Sequence, residues 1–361
     1  MKYTINNAGW SIGAYCNANC IHCYSKDIRR NSDLLTKEDI ITVLDKLDAF
    51  GIHTLNLGGN EPIFTHSLKA EESILPFLVC EVKKRNITLG ITTNGTTMLL
   101  LNKLYPNIFK MVDDWDVSID SPYAEEHDRN RGNGFFNIAL TALDLAKHMN
   151  LSCSVVYCLM NFNCTVDHAE KLAELTNRYS VDLRINTLKP TRKELKKLEA
   201  TPGQIFAFFN ALSHFFKVTH NSDIGAAVSM DDPLDNCPCG KFSFAISPKK
   251  NGAIQITPCV YLQSYAVGNL LQDDISELLE KDIFRLFRNQ DARVCPSNAE
   301  VKGCTGGCLA YTLLTAQHGK CDYRCQLFQQ SITNLSPRQI TVLKKHHIHE
   351  NYLCTWIGTN K

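Results

Sequence analysis

Charge imbalance is missing from this chain. Across 361 residues the formal net charge is +1. The sum shows no basic surplus for nucleic acid or an anionic membrane, although a local basic patch would not show in it. Long apolar runs are missing too. No stretch reaches the roughly 18 consecutive apolar residues that a membrane span needs. The opening segment MKYTINNAGWSIGAYC lacks the charged start, apolar run and small-residue cleavage site of a secretory signal. A cytoplasmic protein is expected, with no nucleic-acid or membrane partner. Hydrophobic residues make up 44% and charged residues 21%, the balance of a globular protein. The length exceeds one ordinary core and predicts one large domain with a smaller one.

Cysteine, by contrast, is abundant, with 16 residues. In a reducing compartment disulfides are disfavoured, so clustered cysteines point to metal. Cys16, Cys20 and Cys23 lie together, and eight more fall between 237 and 325. Cys80, Cys153, Cys158, Cys164 and Cys354 are scattered, and a scattered cysteine reads first as a small buried hydrophobe.

Apolar β-rich runs alternate with amphipathic helical runs over about residues 8–220. In TKEDIITVLDKLDAF, for example, Ile40, Val43, Leu44 and Leu47 share one helical face. Six such strand–helix units predict an α/β fold, a partial (β/α)6 TIM-like barrel with a parallel sheet. The expected division is a barrel at 1–225, a cysteine-rich domain at 226–335 and a tail at 336–361. Chemistry in such barrels gathers at the C-terminal ends of the strands. The unusual residues fall there: the three cysteines after strand one, Gly58 to Pro62 after strand two, Thr92 to Gly95 after strand three and Ser118 to Ser121 after strand four. Asn161 and Asn163 follow strand five, and Arg184 and Asn186 lie in or just after strand six.

Thiolates hold iron–sulfur clusters, and a [4Fe–4S] cluster has four irons. Three cysteines leave one iron open, as a reactive metal site requires. A structural zinc site would want a fourth ligand nearby, and His22 sits awkwardly between two of the thiols. The Cys-x3-Cys-x2-Cys pattern after a first barrel strand resembles the radical S-adenosylmethionine (SAM) superfamily. The resemblance implies SAM bound to the open iron and cleaved to a 5′-deoxyadenosyl radical. It implies that Gly58, Gly59 and either Asn60 or Glu61 meet the SAM amino group, and that His22 abuts the adenine. Thr93, Asn94, Ser118 and Asp120 are implied near the ribose and carboxylate, with Arg131, in EEHDRNRG, on the carboxylate; Arg184 joins the cofactor-binding set.

The second cysteine group resembles the SPASM extension, which carries two auxiliary [4Fe–4S] clusters. Cys295, Cys304 and Cys308 fit its core pattern, but Asn298 stands where one cysteine is usual. The implied sharing is Cys237, Cys239, Cys259 and Cys308 for one cluster and Cys295, Cys304, Cys321 and Cys325 for the other. One zinc site, or one open auxiliary cluster, is the alternative.

Enzymes of this kind mostly modify ribosomally made precursor peptides or activate sulfatases. GWSIGAYCNANCIHCYS, GGNEPIFTH and SIDSPYAEEHDRNRG resemble peptide maturases, nearest the spliceases that excise tyramine and leave a ketoamide. Thioether or carbon–carbon cross-linking and Cα epimerisation are the rivals. The chain starts almost at the barrel, so a separate small leader-binding protein, or leader contact through a sheet edge, is implied. A reductant such as flavodoxin or ferredoxin is implied as well. Epimerisation would need a thiol hydrogen donor, with Cys354 and Cys164 as candidates. The tail's three neighbouring histidines read as a solvated basic face. Outside this class stand a radical SAM dehydrogenase of small molecules and a non-enzymatic metal-binding scaffold.

Overall fold

The computed structural model describes residues 4–30, 32–221, 237–289, 306–317, 322, 352 and 355–361. Among these, six strands form a parallel run in chain order: β1 (Asn7–Ser11), β2 (Thr54–Gly58), β3 (Thr88–Thr93), β4 (Asp114–Ser118), β5 (Cys153–Leu159) and β6 (Asp182–Thr187). This is the expected partial barrel. Four further strands extend it: β7 (Phe216–Asn221), β8 (Ser243–Ile246), β9 (Ile256–Thr257) and β10 (Trp356–Asn360). The β8 strand runs parallel to β1, with β9 antiparallel outside it. At the other margin β10 lies antiparallel between β6 and β7. One sheet thus takes strands from the first 225 residues, from the cysteine-rich stretch and from the last residues of the chain.

The helices close where their sequence says they should. Thr36 caps the helix Lys37–Phe50 by a reciprocal box: its hydroxyl accepts from the Asp39 amide at 3.1 Å, and the Asp39 carboxylate accepts from the Thr36 amide at 2.8 Å. Gly51 ends the same helix at φ +95°, a conformation that costs glycine little. Ile40, Val43, Leu44 and Leu47 are all fully buried, each contributing roughly 1.5–3 kcal/mol of transfer free energy. Thr165 caps the helix Val166–Tyr179, and Thr201 with Gln204 boxes the helix Pro202–Phe215.

Alternation along the strands then sorts residues into two populations. Leu55, Leu57, Leu89, Ile91, Trp115, Val117, Val155, Tyr157, Leu183 and Ile185 belong to the main apolar core. Their sequence neighbours Asn56, Gly58, Thr92, Ser118, Val156, Cys158, Arg184 and Asn186 line the barrel interior. A slip of one residue would exchange the two sets. No helix among the described residues is long and apolar enough to cross a membrane.

Candidate active site

Cys16, Cys20 and Cys23 stand on the loop after β1 and line one cavity of about 180 Å³. His22, Gly58, Gly59, Asn60, Glu61, Thr93, Asn94, Ser118, Arg131 and Arg184 line it too. Most of the expected ring therefore converges on one barrel mouth. The loop is tied to β2 by the Ser25 hydroxyl, which donates to the Gly59 carbonyl. Gly59 has φ +83°, and a β-carbon there would lie 2.1 Å from Ser11 Oγ, so the close approach requires glycine.

Asn60 and Glu61 have separate tasks. The Glu61 carboxylate is buried and fully engaged. It accepts from the amides of Asn94 at 2.9 Å and Thr97 at 2.7 Å, and from the hydroxyls of Thr93 and Thr97. A carboxylate at the start of the helix Thr96–Leu104 meets unsatisfied amides and the positive end of the helix dipole. Burial still raises the Glu61 pKa, with these hydrogen bonds opposing it. Asn60 donates to the Glu61 carbonyl at 3.0 Å, while its buried Oδ1 has no hydrogen-bond partner among the described residues. Asn60 thus holds an unused acceptor on a residue that lines the cavity.

Arg131 forks onto Asp120, Nε at 2.6 Å and Nη2 at 2.8 Å, so two of its donors are spent inside the protein. Asp120 is fully buried and does not line the cavity. Burial alone would raise its pKa, but Arg131 and His22 outweigh that and hold the carboxyl well below the usual range. Asn130 bridges Asp120 to His22, donating to the imidazole Nδ1 at 3.1 Å. Burial lowers the His22 pKa, favouring the neutral ring. On the floor, Arg184 donates to Asp116, which also accepts from Thr92 at 3.1 Å.

Burial pushes the Cys16 thiol up to about 12, with Glu61 adding to the effect, and pushes Cys20 up to about 11. Thiols of this kind are poor nucleophiles; a metal would draw them into the thiolate form. No three thiol, imidazole or carboxyl groups among the described residues are spaced to hold a single metal ion. Three thiols around one cavity, with Asn60 Oδ1 unpartnered beside them, instead suit a cluster whose ligands sit on different irons.

Cys237, Cys239, Cys259 and Cys308 gather in a second, fully buried group with Leu262, Phe287 and Tyr311. Cys239 is hydrogen-bonded to Cys237 and Cys259, which raises its pKa well above normal. Cys295, Asn298, Cys304, Cys321, Cys325, Cys354 and the tail histidines lie outside the described residues. Cys164, expected at the barrel mouth, is buried in the apolar core and does not line the cavity. Cys158, read from the sequence as a scattered cysteine, does line it. Its place two residues after Val156 on β5 was the available signal. Arg29, Asn56, Lys189, Tyr261 and Tyr352 were also missed; among these only Asn56 carried a signal, the period of two on β2.

Residues 10–176 match the family model described as the radical SAM superfamily. Those residues form a radical SAM domain. Over 327 residues the chain is 26% identical to the mycofactocin maturase MftC of Mycolicibacterium smegmatis, covering 85% of this chain and 78% of the relative. It is also 24% identical over 333 residues to the AdoMet-dependent heme synthase of Methanosarcina barkeri, covering 83% and 87%. The crystal structure of anSMEcpe with bound AdoMet and a Cp18Cys peptide shares the fold, with a TM-score of 0.69, 16% identity and coverage of 92% and 97%.

Proposed function

We propose that the protein is a peptide maturase that abstracts a hydrogen from a ribosomally made precursor, probing Cα or Cβ of the target residue. The observation that carries this reading is the open three-thiol cavity on a chain alike MftC over most of its length. When bound, the cluster and SAM supply a one-electron cleavage that yields a 5′-deoxyadenosyl radical. The protein's own residues do the rest. Asn60 Oδ1 would accept from the SAM ammonium, and Gly58 and Gly59 would let the backbone approach it closely. Neutral His22, oriented by Asn130, offers a flat ring to the adenine.

The finer reading is tyramine excision leaving a ketoamide; cross-linking and epimerisation are its rivals. Cys237, Cys239, Cys259 and Cys308 hold one auxiliary [4Fe–4S] cluster in this reading, and the remaining cysteines a second. A separate leader-binding protein and a flavodoxin or ferredoxin complete the system, in the cytoplasm. A second reading follows from the heme-synthase relative, which is matched over a similar length: a small-molecule substrate in the same cavity.

The test is anaerobic coexpression with short peptides encoded beside this chain, followed by mass spectrometry. A peptide that loses a tyramine unit supports the finer reading, and any other SAM-dependent mass change supports the coarser one. SAM-dependent conversion of a small molecule with no peptide changed would favour the second reading.

A further inference from the structure

Arg29 ends the short helix Lys26–Arg29 beside the cluster loop and is only 9% exposed. Its Nη2 points at Cys23 Sγ from 3.7 Å, and its Nε is buried without a partner among the described residues. The other two arginines of the cavity wall are each matched by a carboxylate, Arg131 by Asp120 and Arg184 by Asp116. Among the described residues no carboxylate pairs with Arg29. A buried, unmatched guanidinium is costly, and an anion beside it offsets that cost. The groups that can supply one are the thiols that Arg29 faces: it touches Cys23, and its charge also acts on Cys16.

The guanidinium is not needed to shape the loop. The Arg29 backbone is fixed separately, its amide donating to the Ser25 carbonyl at 2.9 Å and its carbonyl accepting from Ser32 at 2.7 Å. We propose that Arg29 is the charge-compensating residue of the cluster site and sets its reduction potential. Reduction adds one negative charge to the cluster, and a cation donating an N–H to a ligand sulfur favours that state. The inference rests on Cys16, Cys20 and Cys23 holding the cluster. It needs no peptide, so it can fail while the maturase reading stands, and the reverse.

The test compares the wild-type holoenzyme with Arg29→Gln and Arg29→Lys, reconstituted anaerobically to equal iron content. The midpoint potential is read by EPR-monitored titration, and the signal is assigned by its absence from a variant lacking all three thiols. The expected result is a more negative potential in R29Q and a value near wild type in R29K. An unchanged R29Q potential would overturn the inference, as would an R29K displaced as far as R29Q. Should R29Q not take up iron, R29K decides: normal uptake at wild-type potential supports charge compensation, and equal failure assigns Arg29 to the fold.

Discussion

The two cysteine groups differ in what surrounds them. Cys16, Cys20 and Cys23 are half-buried on a loop, beside a cavity lined by Arg29, Arg131, Arg184 and Glu61. Cys237, Cys239, Cys259 and Cys308 are buried among Leu262, Phe287 and Tyr311. The first environment leaves room for a ligand and balances charge locally. The second buries four thiols together, away from water, among the described residues. An open metal site reacts and a closed one holds or conducts, so metal held at both groups would divide the chemistry between them.

Removing one group at a time breaks the comparison most sharply. Replacing Cys16, Cys20 and Cys23 by alanine should abolish 5′-deoxyadenosine formation and lower iron by about four atoms per chain. Cys239→Ala should lower iron and thermal stability while SAM cleavage persists. Iron and sulfide analysis with chromatography of the nucleoside products checks both, and SAM cleavage surviving the triple substitution would contradict the assignment.

The next effect concerns the charged groups beside the first three cysteines. Asp120→Asn leaves Arg131 buried without its anion and should cost about 3–5 kcal/mol in urea unfolding. The pH dependence has a definite sign. The folded pKa of Asp120 lies below its unfolded value, so its stabilisation is present above about pH 4 and is lost as pH falls towards the folded pKa. Wild type should therefore lose stability on acidification more steeply than D120N. Parallel acid limbs would mean that the pair carries no linkage.

Legibility in the sequence followed the range of the interactions. The barrel strands were readable because period-two and period-3.6 patterns are local, as β2 and the Lys37–Phe50 helix illustrate. The mouth was readable because its residues follow those strands in phase. Arg131 was assigned to SAM from its neighbours in sequence, yet its partner Asp120 lies eleven residues away across a loop. Arg29 gave no signal at all, since burial of a helix-terminal arginine depends on how the loop of Cys23 packs against it. The placement of β10 between β6 and β7 was equally hidden, because its pairing partners lie more than a hundred residues earlier.

A smaller effect separates two adjacent residues of the open site. Asn60→Ala should raise the Kd for SAM ten- to a hundredfold, the equivalent of about 1.5–3 kcal/mol for a hydrogen bond to a charged group. Its unfolding midpoint should stay near wild type. Glu61→Gln should do the opposite, lowering stability by a similar amount because an amide cannot accept all the donors now aimed at Glu61. Isothermal titration with SAM and urea unfolding on both variants measure the split. Exchanged phenotypes would return the ammonium to Glu61.

The smallest effect tests whether the two regions are mechanically joined. Tyr352 carries its backbone on the second region and its ring in the first. Its carbonyl accepts from Ser243 Oγ at 2.8 Å and from Cys239 at 3.9 Å. Tyr352 lines the three-thiol cavity, and a β-carbon on Gly9 of β1 would lie 1.8 Å from its hydroxyl oxygen. Burial raises the phenol pKa well above normal, with Tyr24 and Cys239 adding to it and Arg184 opposing. The ring thus feels groups of both regions. Gly9→Ala forces the ring away and should cost about 1–3 kcal/mol, the usual range for overpacking. In a Tyr352→Ala background the same methyl enters vacated space, so most of that cost should vanish in a double-mutant cycle. A G9A penalty of equal size in both backgrounds would show that β1 is constrained by something other than Tyr352, and that the closed group does not reach the open one through this ring.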